Sequence, residues 1–159
     1  MLSHPIPPLY DEHSEILILG SFPSVKSREA KFFYGHPQNR FWKVISTVCE
    51  CSEPKTIEEK RQFLLSNHIA LWDVIASCDI EGSADSTIKN VRANDLSPIL
   101  NAANIRQIFV NGKTAEQYYN RYIRPTIGRK AICLPSTSPA NAAWSVNRLV
   151  DAWKIVRSR

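Results

Sequence analysis

Ile16-Leu17-Ile18-Leu19-Gly20-Ser21-Phe22-Pro23-Ser24 is the stretch that decides the fold: a short apolar run stops at a glycine and a Pro-pinned polar loop. A continuous apolar run bounded by turn residues reads as a strand buried on both faces, as in a parallel sheet. Residues 69–72, 105–110 and 131–134 have the same character. The last of these runs into a second polar loop, Pro135-Ser136-Thr137-Ser138-Pro139-Ala140-Asn141. If both runs are parallel strands, their loops meet at one sheet edge, where open α/β sheets place their sites. Neither loop has the glycines of a phosphate cradle.

Between the runs lie stretches with helical period. Phe41, Val44, Ile45 and Val48 share one face of a helix over 41–49, and 57–66 repeats the pattern with Glu58, Glu59, Lys60 and Arg61 outward. A third helix is expected after Asn94 as N-cap, carrying Leu96, Ile99, Leu100 and Ala103. Two more are expected over 114–122 and 146–156. Strand–helix alternation predicts an α/β fold of three layers, α/β/α, with a central four-stranded parallel sheet. No repeat or composition shift divides the chain, so residues 1–159 read as one domain. Residues 1–14 read as an extended lead-in, and 77–95 as the longest polar connection, of the kind that often carries function.

Composition excludes several classes. The content is 43% hydrophobic and 22% charged, as in soluble globular proteins. No apolar run is long enough to span a membrane, and the N-terminus has no basic region followed by an apolar stretch. Lys+Arg exceeds Asp+Glu by 20 − 15 = 5, compatible with a polyanionic partner though not specific for one. Cys49 and Cys133 fall in apolar stretches as small core residues, and Cys49-x-Cys51 is too tight for a zinc knuckle. Reduced thiols, a cytoplasmic location, a monomer, and no metal or cofactor are expected.

The third informative segment is His36-Pro37-Gln38-Asn39-Arg40-Phe41-Trp42. Together with Gly20-Ser21-Phe22-Pro23 and Leu134-Pro135-Ser136, it resembles the uracil-DNA glycosylase superfamily. Members pair a first loop G-(Q/I)-(D/N)-P with a last loop (H/N)-P-S. The H-P-x-N-R-F-W run is similar to the mismatch-specific branch, and the order of elements agrees from about Ile16 to Trp144. Phe22 stands where many relatives have Asp or Asn, and Leu134 where they have His or Asn. This pattern is most similar to the hypoxanthine-DNA glycosylase branch, in which the Asn of H-P-x-N is the main catalytic residue. The resemblance implies strand order 2-1-3-4, DNA containing a deaminated base as partner, and Asn39 as that residue.

Physical chemistry supports Asn39 independently. Breaking an N-glycosidic bond puts positive charge on the sugar and negative charge on the base. A fixed amide can accept from a water while donating to the base or sugar. Equally, Asn39 can simply cap the helix starting near Arg40, and the two roles are compatible. Phe22 is placed to stack on an extruded base or to pack in the core. Of Phe32, Phe33 and Tyr34, one lines the pocket, assigned to Tyr34; His36 lines it too or lies exposed. Asp73, ending the second strand, is a candidate base reader.

Ser136, Thr137 and Ser138 are candidates for gripping the DNA backbone, with Asn141 and Ala140 reaching the gap left by the extruded nucleotide. Ser24, Lys26 and Ser27 are placed to hold a phosphate on the other side. Lys113 follows the third strand and is either a phosphate contact or part of a plain turn. A Lys26 Schiff base and lyase activity are not expected. The reading is a monofunctional glycosylase acting on hypoxanthine, with uracil and xanthine as further candidates. The alternatives are a non-catalytic binder of damaged or single-stranded DNA and an unrelated α/β enzyme of free nucleosides.

Overall fold

The computed structural model describes residues 1–157. In chain order the strands are β1 (Leu2–Ser3), β2 (Ile16–Gly20), β3 (Ile69–Asp73), β4 (Ile75–Asp79), β5 (Lys89–Ala93), β6 (Gln107–Asn111) and β7 (Ala131–Leu134). The helices are α1 (Val25–Ala30), α2 (Phe41–Val48), α3 (Ile57–Ser66), α4 (Ser97–Ala102), α5 (Lys113–Tyr118), α6 (Arg124–Ile127) and α7 (Val146–Trp153). A π-helical turn over Tyr119–Ile123 joins α5 to α6, and a 3₁₀ turn over Lys154–Val156 extends α7.

The main sheet has the order β3-β2-β6-β7 with every pair parallel, which is the expected 2-1-3-4 arrangement. Its side chains alternate between two cores. Ile16, Ile18, Ile69, Leu71, Phe109 and Leu134 face α2, α3 and α7. Leu17, Leu19, Ala70, Ile108 and Val110 face α4, α5 and the residues before α6. Burial on both faces explains why these strands read as continuous apolar runs.

The polar stretch 77–95 is not a loop but most of a hairpin. β4 and β5 pair antiparallel, and β1 adds to β4, giving a second sheet of order β1-β4-β5. The lead-in is therefore structured and anchored. α1 was not anticipated; Ser24 caps it by accepting from Ser27 N. Asn94 does not cap α4. The helix begins at Ser97, whose N–H reaches Asp95 Oδ1 at 2.9 Å, while Asn94 Nδ2 donates to the Asp73 carbonyl at 2.8 Å. Cys49 and Cys133 are half-buried against the two cores, Cys78 is fully buried, and all four thiols are free. Among the described residues, no helix is long and apolar enough to cross a membrane.

Register fixes the functional edge. Gly20 is level with Asp73, Leu19 with Val110, and Asn111 with Leu134. Gly20, Asp73 and Asn111 thus end three adjacent strands side by side.

Candidate active site

A cleft of about 600 Å³ opens at this C-terminal edge, a size suited to a small ligand or a single base. It brings together Phe22, Ser24, Tyr34, His36, Asn39, Asp73, Ser136, Thr137 and Ser138, from all three segments singled out in the sequence. Phe33 also lines it, so two of the three consecutive aromatics face the cleft and Phe32 packs in the core. Gly20 makes room for the floor: a Cβ there would collide with Asp73 Oδ1 and come within 3.0 Å of the Tyr34 hydroxyl.

Asn39 is held from two sides. Its Oδ1 accepts from Phe41 N–H at 2.9 Å and from the Thr137 hydroxyl at 2.9 Å. A backbone N–H can only donate, so the orientation of the amide is determined and Nδ2 is the end left over. Among the described residues, no partner meets Nδ2. Arg40, not Asn39, stands at the N-cap of α2, but the Asn39 oxygen satisfies the first helical N–H while the amide nitrogen is available as a donor.

Thr137 is completely buried and its hydroxyl also accepts from Asn111 Nδ2 at 3.0 Å. Thr137 N–H donates to Asn111 Oδ1 at 3.1 Å, and Asn111 Nδ2 is shared with the Tyr34 hydroxyl at 3.2 Å. Nothing of the Thr137 side chain remains for a phosphate. Tyr34 stacks on Phe41, with ring centroids 4.1 Å apart. Burial raises its pKa well above the ordinary tyrosine value, and the Asp73 charge adds to the effect, so the phenol is neutral.

His36 accepts from Gln38 N–H through Nδ1 at 3.1 Å. As the neutral ring it therefore carries its proton on Nε2, a second donor in the cleft wall. Asp85, at the tip of the β4–β5 hairpin, lines the mouth. Although the residue is exposed, its carboxyl is crowded enough that desolvation raises its pKa; Thr114 and Ser21 hydroxyls oppose the shift.

The loop after β7 is braced internally. Ser136 Oγ accepts from Ser138 N–H and Ser138 Oγ from Ala140 N–H, both at 3.1 Å. Asn141 Nδ2 donates to the Ser136 carbonyl at 3.0 Å, and Trp153 Nε1 to that of Pro135 at 2.9 Å. Arg40 gathers the rest: its guanidinium donates to the carbonyls of Thr137 at 3.4 Å, Ser138 at 2.7 Å, Asn141 at 3.0 Å and Trp144. Asn141, Lys26 and Lys113 do not line the cleft. Both lysines are exposed, Lys26 two residues after Ser24 and Lys113 two residues after Asn111.

Sequence reasoning missed His4, Asp85 and Asn111 as site residues. Asn111 had a signal, since it ends an apolar strand at the same edge as Asp73. Asp85 had only the general signal of the long polar connection 77–95, and His4 had none: each reaches the site through the unanticipated second sheet.

Residues 7–157 match the Uracil DNA glycosylase superfamily. The chain belongs to that superfamily. It is similar to a hypoxanthine DNA glycosylase of Methanosarcina acetivorans, 37% identical over 158 residues and 98% of each chain. Similarity extends to a hypoxanthine DNA glycosylase of Methanosarcina barkeri, 35% identical over 137 residues and 85% of each chain. A solution NMR structure of a Methanosarcina acetivorans protein assigned to the uracil DNA glycosylases matches with a TM-score of 0.82 at 35% identity. That match covers 98% of this chain and 96% of the other. The cleft at the sheet edge is thus carried on a uracil DNA glycosylase superfamily fold.

Proposed function

We propose that the chain is a monofunctional DNA glycosylase that hydrolyses the bond between a deaminated base and its sugar, hypoxanthine first, then uracil or xanthine. The observation that carries this reading is the amide of Asn39, locked through its oxygen and lining the cleft with a free donor. As the glycosidic bond breaks, its electrons go to the base, and a fixed N–H aimed at that charge stabilises the transition state without reorganising. His36 Nε2–H supports the same charge from the neighbouring wall.

Asn39 Oδ1 is bonded twice, so the residue acts as a donor to the departing base rather than as an acceptor for water. Phe22 and Leu134 are apolar and orient no water either; Leu134 lies in the core. Water attacks C1′ of an oxocarbenium-like sugar, whose charge Asp85 and Asp73 favour electrostatically. Phe22, with 8% of its surface exposed, supplies an apolar wall for the extruded base.

Asp73 Oδ1, on the floor, accepts from the N–H that deaminated bases carry on their Watson–Crick edge. Adenine and cytosine offer a lone pair there. Weak pairing of a deaminated base also lowers the cost of flipping it. Ser24, Ser136 and Ser138 at the rim, with Lys26, Lys113 and Asn141 further out, make up the DNA-facing surface. The protein acts as a monomer in the cytoplasm, without metal or cofactor.

The test is excision from labelled duplexes carrying deoxyinosine, deoxyxanthosine or deoxyuridine, with and without alkali. Strand cleavage only after alkali, on these substrates and not on unmodified DNA, is the expected result. Salt-sensitive DNA binding with no excision would instead support a non-catalytic binder, the reading that apolar Phe22 and Leu134 favour.

A further inference from the structure

We infer that His4, carried by the N-terminal segment, is a positioning residue for base recognition: its Nε2–H holds Asp73 as an oriented acceptor beneath the base. This deepens the glycosylase reading and rests on it.

His4 Nε2 lies 2.7 Å from Asp73 Oδ2, and the two side chains are only 3% and 6% exposed. The other ring nitrogen settles the tautomer. Ile6 N–H points at His4 Nδ1 from 3.2 Å, so Nδ1 is an acceptor and the proton resides on Nε2. The contact is thus a hydrogen bond donated by Nε2–H to Asp73 Oδ2. Among the described residues, Asp73 meets no Lys or Arg.

Among the described residues, three titratable side chains face Asp73: His4 from the N-terminal segment, Tyr34 from the loop after α1, and Asp85 from the β4–β5 hairpin. The Asp73 charge opposes ionisation of both Tyr34 and Asp85, secondary to burial in each case. Of these, only His4 is bonded to the carboxylate. With Oδ2 taken and the carbonyl of the same residue held by Asn94, Oδ1 is the acceptor left beside Gly20.

The segment is built to hold the ring in place. His4 N–H donates to the Ala76 carbonyl at 2.7 Å, and Trp72 Nε1 donates to the Ile6 carbonyl at 3.0 Å. Phe22, Trp72 and Phe33 surround the imidazole, with ring centroids 5.9, 6.1 and 6.4 Å away. A buried carboxylate stripped of this donor takes up a proton or swings away. Without the His4 donor, the carboxyl no longer presents Oδ1 as a fixed acceptor to the N–H of a deaminated base, so the match is weakened. His4 thus fixes the sense of the hydrogen bond by which the floor tells hypoxanthine, xanthine or uracil from adenine or cytosine.

The test combines NMR of the full chain with single-turnover excision of deoxyinosine. Imidazole ¹⁵N shifts are expected to report His4 with a proton on Nε2 only; an Nδ1–H tautomer or an imidazolium would overturn the inference. His4→Phe, which keeps a ring and removes the donor, is expected to slow excision at least tenfold. His4→Gln, which restores an N–H near the Nε2 position, is expected to recover most of that loss. In an Asp73→Ala background the His4→Phe effect is expected to shrink below twofold, because no carboxylate remains to position. Equal losses in both backgrounds, or no recovery with Gln, would reduce His4 to packing and overturn the inference. Should His4→Phe fail to fold, the tautomer and the Gln variant still decide. A wild-type protein that excises no deaminated base would overturn the glycosylase reading itself; normal excision by His4→Phe would overturn only the role of His4.

Discussion

The Thr137 hydroxyl donates to Asn39 Oδ1 across 2.9 Å, joining the loop after β7 to the entry of α2 over 98 residues of sequence. This bond turns a side chain that faces the cleft into a fixed donor. Thr137→Val keeps the shape but leaves Asn39 Oδ1 with one partner and Asn111 Nδ2 without the hydroxyl. Losing a buried partner costs about 1–3 kcal/mol. Single-turnover excision is therefore expected to fall roughly ten- to hundredfold. Thr137→Ser should stay near wild type; equal losses in both would mean that methyl packing, not the hydroxyl, matters.

Arg40 places one guanidinium among four carbonyls of the last loop and leaves no donor pattern suited to a phosphate. Lysine cannot reproduce that planar fork. Arg40→Lys is expected to lower folding stability by about 2–4 kcal/mol, read by denaturant titration. DNA affinity should drop as the loop loosens, with an unchanged slope of log K against log salt. A slope reduced by about one would instead make Arg40 a phosphate contact.

Lys26 and Lys113 predict the opposite signature. Among the described residues, Lys26 pairs only with the exposed Glu29, at 3.9 Å, a surface pair worth little. Lys26→Gln and Lys113→Gln are each expected to weaken binding evenly across sequences and to flatten the salt slope by about one. Unaltered slopes would remove these residues from the DNA-facing surface.

Tyr34 gives a pH signature. Its folded-state pKa lies above the ordinary value of 10.0, first through burial and then through the Asp73 charge. The folded protein thus keeps a proton that the unfolded chain releases, so this contribution to stability is present at neutral pH and lost as pH rises past about 10. The Tm of wild type should fall more steeply than that of Tyr34→Phe between about pH 9 and 11. Parallel curves would contradict this.

Much of this was legible because the main sheet is buried on both sides. Uninterrupted apolar runs mark β2, β3, β6 and β7, and their C-terminal ends point to the site. The second sheet left no such trace. β5 is exposed along most of Lys89–Ala93 and is held by backbone pairing rather than by an apolar pattern. α1 is six residues long with one buried side chain, too short to show a periodic face. Asn39 was legible as an amide that could both accept and donate, but which end of it is free depends on Thr137, far away in the sequence. His4 owes its role to a partner 69 residues away, and nothing beside it in the sequence announces that contact.

The most direct test of the central claim is single-turnover excision of deoxyinosine by Asn39→Asp, with Asn39→Ala alongside. Aspartate keeps an oxygen that can accept from Phe41 N–H and Thr137, and replaces the N–H donor with a second, negatively charged acceptor. If the amide acts as a donor to the departing base, Asn39→Asp should fold normally and be as impaired as Asn39→Ala, by a hundredfold or more. Excision by Asn39→Asp close to the wild-type rate would contradict the account and make the oxygen, not the amide nitrogen, the working end.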